Sequence, residues 1–163
     1  HIVSGFQLLA VIVAWAGFEI VVARNPRFPR SVLWTSIGLI ALHLAYYVGF
    51  LNRFEDHRWI ARQAELPWIL KTNTALFAYF LVGLMVLWQI RTRARLISIF
   101  SAPANRFLLI WAAVSFALAN HDLIIKPVQP LHFTRGYIWT PLFLLGSATL
   151  LSCLEWIRRR RSR

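Results

Sequence analysis

The hydrophobic pattern of the chain consists of long apolar runs separated by short polar segments. A helix needs about 20 mostly apolar residues to cross the roughly 30 Å hydrocarbon core of a bilayer. Runs suited to this cover residues 2–23, 31–51, 73–90, 107–125 and 137–157. The pattern therefore predicts an all-α fold, a polytopic transmembrane helical bundle of five spans that forms a single transmembrane domain over residues 1–163.

The fourth run, Phe107 to Ile125, qualifies as a span only if it carries a polar Asn-His-Asp step into the membrane. The alternative ends the helix at Ala119, which leaves about 13 apolar residues, too few to cross a bilayer of ordinary thickness. We therefore expect the helix to continue through Asn120, His121 and Asp122.

The longest connection, residues 52–72, interleaves charged residues with Trp59, Trp68 and other apolar residues. This pattern is typical of a helix that lies in the membrane interface with its tryptophans at headgroup level. We predict one interfacial helix between spans two and three, ending near Pro67, and a solvated loop is the alternative.

Charge gives the orientation of the bundle. The chain has 58% hydrophobic and 15% charged residues, and its 18 Lys+Arg against 6 Asp+Glu give a net charge of +12. Cytoplasmic connections of membrane proteins retain an excess of Lys and Arg. Arginines are concentrated in residues 24–30, 91–106 and 158–163, on alternate connections, which predicts an outside N-terminus and a cytoplasmic C-terminus.

The basic residues lie in short clusters between apolar runs, which disfavours nucleic acid as a partner and indicates membrane lipids. Four consecutive arginines in the C-terminal tail act as a topology signal and are also suited to anionic headgroups. They are Arg158, Arg159, Arg160 and Arg161.

Enzymatic activity is not expected. The chain has one cysteine, Cys153, without a neighbouring histidine, and no motif for phosphate or zinc binding. Because the chain begins with His1 inside an apolar run, we expect it to be a fragment or a processed chain.

Small residues recur every four positions on two spans, a spacing that lets transmembrane helices approach closely. These candidate packing seams are Ala41, Ala45 and Gly49 on the second span, and Ala113 and Ala117 on the fourth.

Ionisable residues inside a span are costly and are functional candidates by default. At about 1.5 Å per residue, His43 lies roughly 18 Å and His121 roughly 22 Å from the cytoplasmic face. We expect a polar pocket in the outer half of the bilayer, to which Gln7 and Thr140 also belong by depth. Its candidate residues are His43, Tyr46, Tyr47, Asn120, His121 and Asp122.

Three uses of this pocket remain open. The first is a hydrogen-bonded network that fixes helix packing, with Asp122 paired to Lys126 or Arg135. The second is the sensing of a ligand or of protons through a histidine that changes charge. The third is binding of haem b, with His43 and His121 as axial ligands; no other metal or cofactor is expected.

Two segments resemble the membrane-embedded seven-helix sensory domains of bacterial sensor histidine kinases. The sequence ALHLAYYVG from Ala41 to Gly49 is similar to a Leu-His-Tyr-Tyr element of a middle helix. ANHDLII from Ala119 onward, with the later YIWTPLFLLGSATLL, resembles the family's His-Asp step, turn and final helix. The likeness covers the last five helices only.

The resemblance implies a non-enzymatic, sensor-like transmembrane module in a bacterial inner membrane, with multiple spans. The alternative is an accessory or assembly subunit of a larger respiratory or photosynthetic membrane complex, because the chain lacks catalytic groups and has small-residue seams. Other transmembrane subunits, or a second copy in a homodimer, are the expected protein partners.

Overall fold

A computed structural model describes residues 2–25, 27–63, 72–91, 97, 100–121 and 136–161. Regular structure in these residues is helical throughout. The α-helices are α1 (Ile2–Gly17), α2 (Arg30–Leu44), α3 (Glu55–Gln63), α4 (Thr72–Ile90), α5 (Pro103–Ala119) and α6 (Gly136–Arg161). The all-α class predicted from the apolar runs is confirmed for this part of the chain.

Three helical segments are long and apolar enough to cross a membrane, judged by length and composition over the described ranges. They are Gly5–Val22, Arg30–Arg53 and Ile138–Arg161. Phe80–Gln89 and Pro103–Ala119 are shorter apolar helices. These features are compatible with a membrane protein.

Two of the long segments end in π-helical turns. α1 continues as a π-helix over Phe18–Val22, and α2 continues as a π-helix over Ala45–Phe50 and a 3₁₀ turn over Leu51–Arg53. A π-helical turn changes the direction in which successive side chains leave the helix axis, and such turns are frequent at functional sites. The second one carries Tyr46 and Tyr47, which are pocket candidates.

The helix of the fourth run begins earlier than predicted. α5 starts at Pro103, where the missing N–H of proline costs nothing in a first turn, and its α-helical residues extend to Ala119. Residues 122–125 lie outside the described part of the chain, so the predicted end of the fourth span stays a prediction. Two side chains bond to carbonyls of the last turn of α5. Asn120 Nδ2 donates to the Phe116 carbonyl at 2.8 Å, and His121 Nδ1 lies 2.7 Å from the Leu118 carbonyl.

The connection after α2 does contain a helix, α3, as the alternation of charged and apolar residues predicted. Its first turn begins with Glu55 and Asp56, which suit the positive end of the helix dipole. Trp59 is exposed. Pro67 and Trp68 lie beyond the described residues.

The chain divides into two compact units, and the division falls inside α5, between Ala112 and Ala113. The first unit comprises His1–Ile69 and Ala113–Arg135. In it, α1 packs against α2. The buried positions of α1 and of the π-helix that continues it are Gln7, Val11, Ala16 and Glu19, and their spacing of three to five residues puts them on one face.

The second unit comprises Leu70–Ala112 and Gly136–Arg163, and in it α4 packs against α6. Gly146 permits the close approach of the two helices, because a Cβ at this position would lie 3.3 Å from Met85 Cβ. The buried residues of α6 share one face and include Ile138, Pro141 and Leu145.

Two hydrogen bonds join α4 to α6 in a reciprocal way. Gln89 Nε2 donates to the Leu145 carbonyl at 2.7 Å, and Thr149 Oγ1 donates to the Met85 carbonyl at 3.0 Å. On each helix the donor side chain lies four residues after the carbonyl that accepts the bond. In a hydrocarbon environment such side-chain bonds stabilise helix pairs where hydrophobicity contributes little.

The predicted packing seams lie on exposed surface. Ala41, Ala45, Gly49, Ala113 and Ala117 are all exposed, and a Cβ at Gly49 would meet nothing within 4 Å. The covered positions of α2 are instead Ser36, which is buried, and Val32, Leu33, Ile40 and His43, which are half-buried. Packing of the seams against other helices therefore stays a prediction.

Candidate functional site

The strongest candidate site is a group of polar and aromatic residues in the first unit, where side chains of α1 meet those of α2 and α5. We call it the polar cluster and define it as Gln7, His43, Tyr46, Tyr47 and Ser115. Three of these residues come from the α2 segment, one from α1 and one from α5.

Gln7 forms the α1 to α5 contact. Its Nε2 donates to Ser115 Oγ at 2.8 Å, and both side chains are completely buried, at 0% exposure. Gln7 Oε1 has no hydrogen-bond partner among the described residues. A buried amide oxygen without a donor carries a desolvation cost of about 1–3 kcal/mol, so the position has capacity for one further donor.

Phe6 forms the neighbouring contact with α2. Its ring centroid lies 6.0 Å from that of His43, and His43 in turn lies 4.6 Å from Tyr47. Tyr46 meets Tyr47 edge to face at 5.1 Å. Because Phe6 and Gln7 are adjacent in sequence, the same turn of α1 contacts His43 on one side and Ser115 on the other.

The π-helical turn shapes the tyrosine part of the cluster. His43 lies in the last turn of α2, and Tyr46 and Tyr47 lie in the π-helix that follows. His43 and Tyr47 are half-buried, whereas Tyr46 is exposed and stacks on Phe50 at 5.6 Å. The result is an aromatic wall with one imidazole, able to contact a planar or apolar group and to exchange a proton.

Two other predicted pocket residues follow directly after the helix that carries Ser115. Asn120 is buried and His121 is half-buried, and the bonds described above tie both to carbonyls at the end of α5. Their contribution to helix capping is therefore a structural role that the sequence did not indicate. Asp122 lies outside the residues that the structure describes, and Thr140 is exposed on α6 in the second unit.

Glu19 is a second buried polar group in the first unit, at the opposite end of α1. Its side chain is 0% exposed and accepts a hydrogen bond from Asn25 Nδ2 at 3.2 Å, while its carbonyl accepts one from the Asn25 N–H at 2.8 Å. Arg24 adopts a left-handed conformation with φ 49°, which lets the chain turn back on itself. Glu19 and Asn25 thus close the turn between α1 and α2.

Sequence reasoning missed two residues of the site. Neither Ser115 nor Phe6 was singled out. A signal for Ser115 was present, because a hydroxyl within an apolar run needs a partner once it is buried. Its partner, however, lies 108 residues away in the chain.

Comparisons with family models, with curated proteins and with solved structures find no match for this chain. The function is therefore argued from the site.

Proposed function

We propose that the chain is a non-enzymatic, sensor-like transmembrane module of a bacterial inner membrane. It crosses the membrane five times with its N-terminus outside, α3 lies in the interface, and the polar cluster responds to a small ligand or to protonation. The observation that carries the proposal is the contact of one turn of α1 with His43 of α2 and Ser115 of α5.

Three features of the cluster support a responsive site. The spare acceptor Gln7 Oε1 offers a hydrogen bond to an incoming donor. The aromatic wall, which Phe6 of the same turn of α1 contacts, offers apolar and stacking contact. An imidazole is the side chain that changes charge most readily near neutral pH, and His43 forms part of this wall.

We infer that α5 transmits the response of the polar cluster. α5 belongs to both units, since its residues from Ala113 onward are in the first and its earlier residues are in the second. A change at Ser115 therefore acts on a helix that continues into the unit containing α6. This agrees with the resemblance of the α6 segment to the final helix of bacterial sensory domains.

The test uses Cys153, the one cysteine of the chain, which is exposed on α6. A spin label on this thiol reports how accessible the position is to water-soluble and lipid-soluble relaxants in nanodiscs. Lowering the pH from about 8 to about 5, where imidazoles gain charge, should change this accessibility. Replacing His43, the imidazole of the polar cluster, by Phe should abolish the change without preventing membrane insertion, and replacing His121 and Asp122 by Ala tests the other two predicted pocket residues in the same way.

An unmodified chain whose label shows no change over this pH range would contradict proton sensing. The same label then serves to screen small amphipathic compounds. A chain that responds equally with and without His121 and Asp122 would exclude these two residues from the response.

A second candidate, an accessory subunit of a larger membrane complex, is favoured by one specific observation. The small-residue faces formed by Ala41, Ala45 and Gly49 and by Ala113 and Ala117 are exposed, and such faces suit packing against helices of another chain. Native gel electrophoresis after gentle solubilisation from the source membrane separates the two proposals. A subunit should migrate with its complex, and a chain that always migrates alone would contradict this candidate.

A further inference from the structure

Two arginines in the second unit stack on tryptophans at the C-terminal ends of their helices. The Arg91 guanidinium carbon lies 4.1 Å from the centroid of the Trp88 ring, directly after α4. The Arg160 guanidinium carbon lies 4.0 Å from the centroid of the Trp156 ring, in the last turn of α6. The spacings of three and four residues put each pair on one side of its helix.

Stacking leaves the edge of each guanidinium available. The indole covers one face of the planar group and holds its orientation, whereas the N–H donors point outward in the plane. No hydrogen bond or ion pair of Arg91 or Arg160 occurs within the described ranges, and both side chains are exposed. A fork of oriented, charged donors matches the oxygens of a phosphate group in a bidentate manner.

The surroundings of both pairs are amphipathic. Trp88 is 56% exposed and follows the exposed Leu87, and Trp156 is 55% exposed and precedes the exposed Ile157. Each site thus offers a cationic edge for a phosphate beside an apolar surface for a hydrocarbon chain. A phospholipid carries a phosphate and hydrocarbon chains in one molecule, whereas free phosphate makes no contact with the apolar surface.

We propose that these two arginine–tryptophan pairs are binding sites for the phosphate of anionic phospholipid headgroups, with the acyl chains along α4 and α6. The proposal does not depend on the sensor function. Glu155 precedes Trp156 on α6, and its one negative charge leaves an excess of positive charge at this end of the helix, where Arg158 to Arg161 follow. Preference for an anionic over a zwitterionic headgroup follows, because the net charge of the lipid adds to the phosphate contact.

The experiment measures lipid adducts of the full chain by native mass spectrometry, in detergent with phosphatidylglycerol or phosphatidylcholine added. The test variant is R91Q/R160Q, and the matched control is R158Q/R161Q, which loses the same charge but no stacked guanidinium. By charge alone, each lost basic group at the surface weakens binding of an anionic lipid by about fivefold, and this part of the loss is common to the test and control variants. We expect the loss of phosphatidylglycerol affinity in the test variant to exceed clearly the loss in the control.

A second variant, W88L/W156L, keeps all charges and removes the stacking. It should lose part of the phosphatidylglycerol affinity if the indoles orient the arginines. Far-UV circular dichroism shows whether each variant retains its helices. Should a variant fail to fold, paramagnetic broadening of Trp side-chain resonances by spin-labelled phosphatidylglycerol in the unmodified chain gives the same answer.

Three outcomes would overturn the proposal. Equal losses in the test and control variants would mean that the lipid responds only to overall charge. Equal affinity of the unmodified chain for both lipids would mean that the sites do not select an anionic headgroup. Displacement of the lipid by millimolar inorganic phosphate would mean that the pairs bind the phosphate group alone.

Discussion

Replacing Gly146 by leucine should separate α4 from α6. An ideal Cβ at this position would be 3.3 Å from Met85 Cβ and 3.7 Å from Met85 Sδ. A leucine adds three more carbon atoms beyond that Cβ, so either the Met85 side chain or the helix axis has to move. Gly83 on α4 is a suitable control, because a Cβ there would meet nothing within 4 Å.

The expected magnitude follows from three contributions. Overpacking of a fitted contact costs about 1–3 kcal/mol. Moving the helices apart also weakens the Gln89 and Thr149 hydrogen bonds, at about 0.6 kcal/mol each in a membrane helix pair. Replacing glycine inside a helix stabilises the helix by roughly 0.8–1 kcal/mol, because other residues have a higher helix propensity. The net destabilisation of Gly146→Leu is then about 1–3 kcal/mol, whereas Gly83→Leu is neutral or mildly stabilising.

The assay is unfolding of the purified chain in mixed micelles by increasing sodium dodecyl sulfate, followed by tryptophan fluorescence. The free energy of unfolding is compared for both leucine variants and for the two corresponding alanine variants. Alanine at 146 should fall between glycine and leucine, since a shift of a few tenths of an ångström by Met85 accommodates it. Equal stability of Gly146→Leu and Gly83→Leu would refute the close contact of α4 and α6.

Three further predictions use the same assay. Gln89→Leu and Thr149→Val should each lower the free energy of unfolding by about 0.6 kcal/mol, up to about 1.7. The double variant should lose less than the sum of the two, because both bonds hold the same helix pair. Strict additivity of the two losses would argue against a joint role. Ser115→Ala should destabilise the chain by about 1–3 kcal/mol, because the buried amide of Gln7 loses its acceptor. In the control Ser147→Ala, the lost hydroxyl donates only to the Leu144 carbonyl of its own helix, and stability should change by less than about 0.5 kcal/mol. Similar effects at both serines would contradict the buried bond. Asn25→Asp should be more destabilising than Asn25→Ala, because an aspartate places a second carboxylate against buried Glu19, where the asparagine amide donates a hydrogen bond. The reverse order of stabilities would show that the Asn25 side chain does not contact Glu19.

The apolar runs predicted the helices because their lengths alone define α1, α2, α4 and α6 to within several residues. The end of the fourth span is harder to predict because the polar step after Ala119 has two possible roles, inside a span or as a helix cap. Hydrophobicity does not distinguish them, and the bonds from Asn120 and His121 to the carbonyls of Phe116 and Leu118 are visible only in the structure. The π-helical turns are equally invisible to sequence, since the residues in them are as apolar as those in the α-helices.

The candidate site was predicted by residue type better than by arrangement. His43, Tyr46 and Tyr47 do lie together, because they follow one another within two turns of one segment. The partner of Gln7 could not be predicted, because a single sequence contains no information on which of several polar residues on distant helices will meet. Gln89 and Thr149 were not predicted to form bonds for the same reason.

The measurement that tests the central claim most directly is the accessibility of a spin label on Cys153 in the unmodified chain and in Gln7→Leu. The substitution removes the Gln7 side chain of the polar cluster and leaves the sequence of α6 unchanged, so it imitates the effect of a signal at the cluster. If the cluster controls α6, the accessibility of the label to water-soluble and lipid-soluble relaxants should differ between the two chains, and the control Ser147→Ala should behave like the unmodified chain. Identical accessibility in all three folded chains would contradict the account, because the cluster would then have no influence on α6.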